Sequence, residues 1–166
     1  MKSEIVITEM LSEHWDEVSK IFKEGIDTGL ASLELEVPNW DYWNKNHLKG
    51  CRHVAFLQDK IIGWVALSPV SNRKAYKGVA EVSVYITNLH KGKSIGSQLM
   101  NKTILGSKEL NIWTLQAVVF PENKSSIKIF EKYGFRQVGY RERISKNRGK
   151  WQDTILLERR SKVIGN

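Results

Sequence analysis

Cysteine is almost absent from this chain: Cys51 is the sole one among 166 residues. An internal disulfide is therefore excluded and a thiolate metal site lacks its partners, so no metal is expected and a reducing compartment is consistent. No histidine with a nearby acid accompanies Cys51, which speaks against a cysteine nucleophile. Long apolar runs are missing as well. None approaches the roughly 20 residues that cross a bilayer, and "MKSEIVITEM" carries acids on both sides of a short apolar tract instead of a secretory pattern. Cytoplasmic residence without a membrane partner is the expectation. Proline is confined to Pro38, Pro69 and Pro121, and no linker rich in Pro, Gly or Ser divides the chain. One globular unit over 1–160 with a short tail at 161–166 is expected at this length.

Acidic residues are also outnumbered, and the formal charge is +8. Between Arg141 and Lys162 eight Lys or Arg stand against three acids. Such a patch suits nucleic acid, an anionic cofactor or plain solvent. No zinc finger, aromatic RNA-binding motif or recognition helix accompanies it, so nucleic acid is not the expected partner.

Strand and helix signals alternate along the chain, which predicts an α/β or α+β domain. "EIVIT" reads as a first strand. Leu11, Trp15, Val18, Phe22 and Ile26 then recur at helical spacing, with Ser12 as a cap and with Gly25 and Gly29 closing the helix. A loop, "TGLASLELEVP", leads to a short aromatic helix, "NWDYWNKNHL". "HVAFLQ" and "IIGWVALSPV" predict a hairpin turning at Asp59 and Lys60. "VAEVSVYIT" alternates as a central strand. A helix to about Leu110, a strand "WTLQAVVF", a helix from Asn123 to Tyr133 and two strands around "FRQVGYRERI" and "DTILLER" complete the order.

The turn between Val84 and Met100, "VYITNLHKGKSIGSQLM", passes from a strand through basic and glycine residues into a helix. Unpaired amides and a positive dipole at such a helix start invite phosphate. "GKS" at 92–94 is not a nucleotide P-loop, because the required earlier glycine is Thr87. A dinucleotide fingerprint fails too, since Gly92 and Gly96 are separated by three residues. An ordinary helix start with a tight-turning glycine stays open at this point.

The segment "AVVFPENKSSIKIFEKYGFRQVGY" adds an asparagine at a helix start, two serines, and an apolar stripe at Ile127, Ile129, Phe130 and Tyr133. Taken together, the two segments resemble the GNAT superfamily of acyl-CoA-dependent N-acetyltransferases, and the likeness covers nearly the whole chain. The family's pyrophosphate motif falls on Lys91, Gly92, Lys93, Ser94, Ile95 and Gly96; Lys91 replaces Arg or Gln, and Ser94 replaces the first motif glycine. "TGLASLELEVPNWDYW", "RKAYKGVAEVSVYI" and "GKWQD" are similar to the phosphinothricin and methionine sulfoximine acetyltransferase group within it. Trp40, Trp43 and Trp151 in these patterns are read as core or rim residues. The resemblance implies a mixed, mostly antiparallel sheet splayed between strands 4 and 5 and flanked by about four helices. It further implies acetyl-CoA as donor, a small-molecule amine as acceptor and a homodimer with no interface located.

The same resemblance assigns roles. Main-chain groups of Val84, Tyr85 and Ile86 would hold the pantetheine arm, with an N–H there facing the developing oxyanion. Phosphates would rest on Gly92 to Ser97, and Asn123 would touch the cofactor, cap its helix, or both. Glu81 and Tyr85 are the candidate catalytic residues, Glu81 as general base directly or through water; alternation puts Glu81, Ser83 and Tyr85 on one face. A surface ion pair is the plain reading of Glu81. Leu33 and Glu34, with Arg73, Lys74, Ala75 and Tyr76, match the acceptor-side loops, where the basic pair is either a substrate clamp or a solvated turn. Phe130 stands where relatives often carry a proton-donating Tyr or His, which leaves Tyr133 or an unassisted thiolate departure. The expected activity is acetylation of a small amino-acid analogue. Acetylation of a peptide terminus, lysine or polyamine, or a non-catalytic acyl-CoA sensor, are the alternatives.

Overall fold

A computed structural model describes residues 4–166, so the first three residues of the expected 1–160 unit lie outside the described residues. Seven strands form one sheet in the order β1-β2-β3-β4-β5-β7-β6. They are β1 (Ile5–Glu9), β2 (His53–Leu57), β3 (Lys60–Pro69), β4 (Val79–Ile86), β5 (Thr114–Val119), β6 (Arg136–Asn147) and β7 (Lys150–Arg160). Four α-helices flank it: α1 (Trp15–Asp27), α2 (Trp40–Asn46), α3 (Ile95–Glu109) and α4 (Lys124–Lys132). Every strand pairing is antiparallel except β4 with β5.

That parallel pairing is short. Val79, Ala80 and Glu81 pair with Thr114, Leu115 and Gln116, and the ladder stops there. Beyond it β4 stays with β3 as far as Ile86 opposite Gly63, while β5 stays with β7 as far as Val119 opposite Ile155. The sheet is thus splayed between strands 4 and 5, as the resemblance implies.

Two cores cover the two faces. Val82 of β4, Leu99 and Met100 of α3, Phe130 of α4, and Leu115, Ala117, Ile155 and Leu157 of β5 and β7 form one core spanning both halves of the sheet. Val18, Ile21, Phe22 and Ile26 of α1 form the other with Trp43, Trp64 and Ala66, on the β1 to β4 half alone. Strand alternation sends Val82 to the first core and Tyr85 to the second. The Tyr85 ring stacks on Trp64, directly opposite in register, at 4.8 Å, and meets Phe22 at 5.0 Å.

Several boundaries differ from the sequence reading. Ser12 makes no cap; it opens a short 3-10 turn (Ser12–His14) whose Leu11 amide donates to His14 Nδ1 at 3.0 Å. Gly25 lies inside α1 and Gly29 follows it with φ +67°. The β2–β3 turn falls on Gln58 and Asp59, and Lys60 already belongs to β3. β6 and β7 run on to a tight hairpin whose central residues, Arg148 and Gly149, both have positive φ (49° and 76°), the geometry that suits the twist of paired strands. Residues 161–166 lie against the strand ends: Ser161 N–H donates to Trp113 O at 2.7 Å and Arg160 Nη1 to Ile164 O at 2.9 Å.

Gly25 is required by Tyr85. A Cβ at position 25 would stand 2.5 Å from Tyr85 Cε1. Gly25→Ala is expected to lower stability by about 1–3 kcal/mol, the usual cost of overpacking, despite alanine's higher helix propensity; urea unfolding checks the sign.

Candidate active site

Two cavities meet where β4 and β5 part. One, of about 420 Å³, is lined by Leu33, Glu34, His47, Glu81, Ser83 and Thr154 among others. The second, of about 640 Å³, is lined by Ile86, Lys91, Gly92, Ser94, Gly96 and Lys124 among others. Leu30, Ala31, Val84, Tyr85, Asn123 and Ser126 border both, so the splayed edge of β4 is their shared wall.

The second cavity has the character of an anion cradle. The first main-chain bond of α3 runs from Gln98 N–H to Ser94 O at 3.1 Å, so the amides of Ile95, Gly96 and Ser97 have no helical acceptor. Gly92 adopts φ +81° with open space where a Cβ would stand. Ser94 also adopts the left-handed region, at φ 62° and ψ 12°, which costs an L-residue about 1–2 kcal/mol. The turn is held from behind: Glu24 of α1 accepts from Asn88 N–H at 2.7 Å and Thr87 Oγ1 at 3.0 Å. Lys132 Nζ donates to Ser97 Oγ at 3.2 Å. Lys93 lines neither cavity; its Nζ lies 3.2 Å from His90 Nδ1. Free amides, an open glycine and surrounding lysines fit a diphosphate.

The first cavity holds the titrating groups. Burial pushes the Glu81 carboxyl up from its ordinary range, and the Arg141 guanidinium pulls it partly back. His47 Nδ1 lies 2.7 Å from Trp43 O and must carry the ring proton, which leaves Nε2 as the acceptor; burial holds the ring's pKa down. Tyr85 is mainly pushed up by burial, to about 12, and its hydroxyl donates to Ala31 O at 2.9 Å. Asn123 caps α4 by accepting from Ser126 N–H at 3.3 Å and donates to Leu30 O at 3.2 Å.

Of the residues singled out from sequence, Glu81, Val84, Tyr85, Ile86, Lys91, Gly92, Ser94, Ile95, Gly96, Ser97, Asn123, Leu33 and Glu34 come together around these cavities. Arg73, Lys74, Ala75 and Tyr76 do not: they are exposed, around a 3-10 turn between β3 and β4, and line neither cavity. Phe130 is a buried wall packed edge-on against Phe135 at 5.0 Å. Tyr133 lines neither cavity and donates to Ser97 O at 2.8 Å. Trp43 is core yet also borders the first cavity, whereas Trp151 is exposed. Cys51 lines neither cavity, and burial pushes its thiol up to about 12. His47, Thr154, Glu122 and Lys124 line the cavities without having been singled out; only the placement of His47 just after an aromatic helix hints at a role.

Residues 45–156 match the family described as acetyltransferase (GNAT) domain. The chain belongs to the GNAT acetyltransferases. It is 30% identical over 161 residues to YwnH of Bacillus subtilis (strain 168), provisionally named a phosphinothricin acetyltransferase, covering 92% of this chain and 98% of that protein. It is 22% identical over 161 residues to the L-amino acid N-acetyltransferase AaaT of Escherichia coli (strain K12), covering 95% and 98%. A phosphinothricin acetyltransferase structure from Sinorhizobium meliloti, solved with acetyl-CoA, shares the fold at TM-score 0.84 and 21% identity, covering 99% of this chain and 96% of that one. This GNAT acetyltransferase uses acetyl-CoA as its acetyl donor. No group of three or more metal-ligating side chains occurs among the described residues, and no helix there is long and apolar enough to cross a membrane.

Ser94 supplies a direct check on the cradle. Ser94→Gly is expected to keep or raise stability, and Ser94→Val to lower it by about 1–2 kcal/mol, because a β-branched residue strains at positive φ; urea denaturation of the three proteins decides.

Proposed function

We propose that this acetyltransferase acetylates the α-amine of a small amino-acid analogue of the phosphinothricin or methionine sulfoximine/sulfone kind. The observation that carries this is the 420 Å³ cavity holding Glu81 and opening onto the donor cavity at Val84 and Tyr85. That volume suits a small molecule. A loop over Leu30 to Glu34 borders it, fastened by Tyr85 and Asn123. The names of YwnH and AaaT share one chemistry, an amine on an amino-acid skeleton. Polyamines are disfavoured by a chain of charge +8.

Bound acetyl-CoA supplies an activated thioester. The amides of Ile95 to Ser97 and the lysines around them would hold its diphosphate. The unpaired edge of β4 beyond Glu81 would receive its amide-bearing arm, with an N–H in the Val84–Ile86 stretch available to the thioester oxygen. Glu81, directly or through water, takes the proton from the acceptor ammonium so that a neutral amine attacks. Its raised pKa brings it nearer that task than an exposed carboxylate near 4. For the departing thiolate, Phe130 has no proton to give. Tyr133 and Tyr85 have hydroxyls committed to Ser97 O and Ala31 O. The thiolate therefore leaves without a tyrosine acid. Arg73 to Tyr76, outside the cavity, take no part in this reading.

Thiol release from acetyl-CoA, measured over a panel of methionine sulfone, phosphinothricin, a peptide amine, a lysine derivative and spermidine, tests the acceptor class. Turnover confined to the last three overturns it, and tight acetyl-CoA binding with no turnover favours a sensor. Glu81→Gln is expected to lower kcat/KM by about 10²- to 10⁴-fold with calorimetric acetyl-CoA binding retained. The acid limb of the wild-type pH profile should lie above the ordinary Glu range, because the base works only when ionised. Stability has the opposite sign: between the ordinary unfolded value and the raised folded one the folded protein holds the extra proton, so Glu81 costs stability as pH rises through that window. Glu81→Gln is thus expected to leave neutral-pH stability equal or higher.

A further inference from the structure

Glu81 has a counterpart across the sheet. Strand register puts Glu81 opposite Gln116, Gln116 opposite Glu158, and Val118 opposite Leu156. Thr154, two residues on from Leu156, shares their face, and Arg141 of β6 stands directly opposite Thr154. Glu81, Thr154 and Arg141 therefore look out on the same side of the sheet, and Thr154 lines the cavity that holds Glu81. Arg141 Nε donates to Thr154 Oγ1 at 3.1 Å, which fixes the guanidinium and leaves its two terminal nitrogens for another partner. Among the described residues no carboxylate pairs with Arg141 within 4.0 Å. Asp153 of the same β6–β7 hairpin is engaged by the Arg143 N–H at 2.7 Å and by Tyr140. Arg141 is half-buried and lines neither cavity itself; it stands behind the wall of the first one, bonded to the lining residue Thr154.

We infer that Arg141 is the carboxylate-binding residue of the acceptor site, so that Glu81 and Arg141 form a slot for a zwitterion. An α-amino acid carries its ammonium and its carboxylate on one carbon. Its ammonium faces Glu81 and its carboxylate takes the free Nη atoms of Arg141, which suit planar two-oxygen recognition. The influence of Arg141 on the Glu81 carboxyl agrees with that proximity. A zwitterion in the gap would neutralise both half-buried charges at once, which a peptide amine or a polyamine cannot do. This inference rests on the acceptor class proposed above and moves the clamp from Arg73 and Lys74 to the β6 strand.

The test compares L-methionine sulfone with its carboxamide, which keeps the amine and removes the negative charge, on wild type, Arg141→Gln and Arg141→Lys. Thermal melting verifies that each variant is folded. Wild type should prefer the acid. Arg141→Gln should raise KM for the acid by about tenfold or more, as expected for one lost charge-assisted bond, with kcat and the KM for acetyl-CoA changed less. The acid-to-amide preference should collapse, and Arg141→Lys should restore part of it. An unchanged preference in Arg141→Gln overturns the inference. If neither compound is acetylated, the proposed acceptor class fails, and calorimetry of the same two compounds still decides Arg141. A wild-type preference for the acid that Arg141→Gln abolishes supports the inference; equal binding of acid and amide, or no binding of either, overturns it.

Discussion

Three residue pairs, ending at Glu81 with Gln116, are all that joins β4 to β5. Each strand then follows its other neighbour, so hydrogen bonding divides the sheet into a β1–β4 half and a β5–β7–β6 half. Satisfying both halves leaves the facing edge of β4 without strand partners over Val82 to Ile86. Unpaired main-chain groups inside a protein are costly unless water or a ligand takes them. A donor that carries amide groups is complementary to that edge, which is the physical reason the cleft suits acetyl-CoA and not merely a phosphate. It also puts the general-base candidate at the fork, where the last paired residue of β4 meets the cavity.

A parted sheet needs fastening, and the fasteners lie on opposite faces. On the α3 and α4 face a continuous apolar core runs from Val82 and Leu99 to Phe130, Leu157 and Ile155 across both halves. On the α1 face the core belongs to the first half only. There the connection is polar and runs through the end of α1 and the loop after it. Tyr85 holds Ala31 from β4, Asn123 holds Leu30 from α4, and Arg148 at the β6–β7 tip holds Ile26 O at 3.1 Å. Directional bonds of about 1 kcal/mol each hold this side, whereas burial holds the other. The consequence for dynamics is that the acceptor side is the more readily opened of the two, as access for a small substrate requires.

Local chemistry in the sequence carried the donor side well. The alternation of Glu81, Ser83 and Tyr85, the glycine-bearing turn and the asparagine at a helix start are each settled within a few residues, and each stands where that pattern put it. Long-range placement was not legible. Thr154 reaches the cavity, with Arg141 bonded behind it, only because β7 lies between β5 and β6, an order that no short motif encodes. Arg73 and Lys74 drew a substrate role from their match to the family's acceptor-side loop, with a solvated turn as the alternative, and a surface turn also collects charge. The ends of β6 and β7 were missed for a related reason: an edge hairpin wetted on both sides has no apolar alternation to betray it. Ser12 illustrates a subtler failure, since the bond at that turn is supplied by a histidine two residues later, which cap statistics do not favour.

In the proposed reaction Glu81 would make chemistry from a structural expense. A carboxylate placed where desolvation outweighs its cationic neighbour is a poorer ion and therefore a better base. Were Arg141 in direct contact, the pair would neutralise itself and the base would weaken. Were it absent, the carboxyl would face the cavity uncompensated and hold its proton more firmly. A guanidinium beyond ion-pair distance, anchored by Thr154 instead of by the acid, meets both requirements. The separation is possible because Glu81 and Arg141 sit in different halves of the sheet, with β5 and β7 between them. The same parting that leaves the edge of β4 unpaired thus keeps the Glu81 carboxyl and the Arg141 guanidinium apart, as the proposed acceptor slot requires.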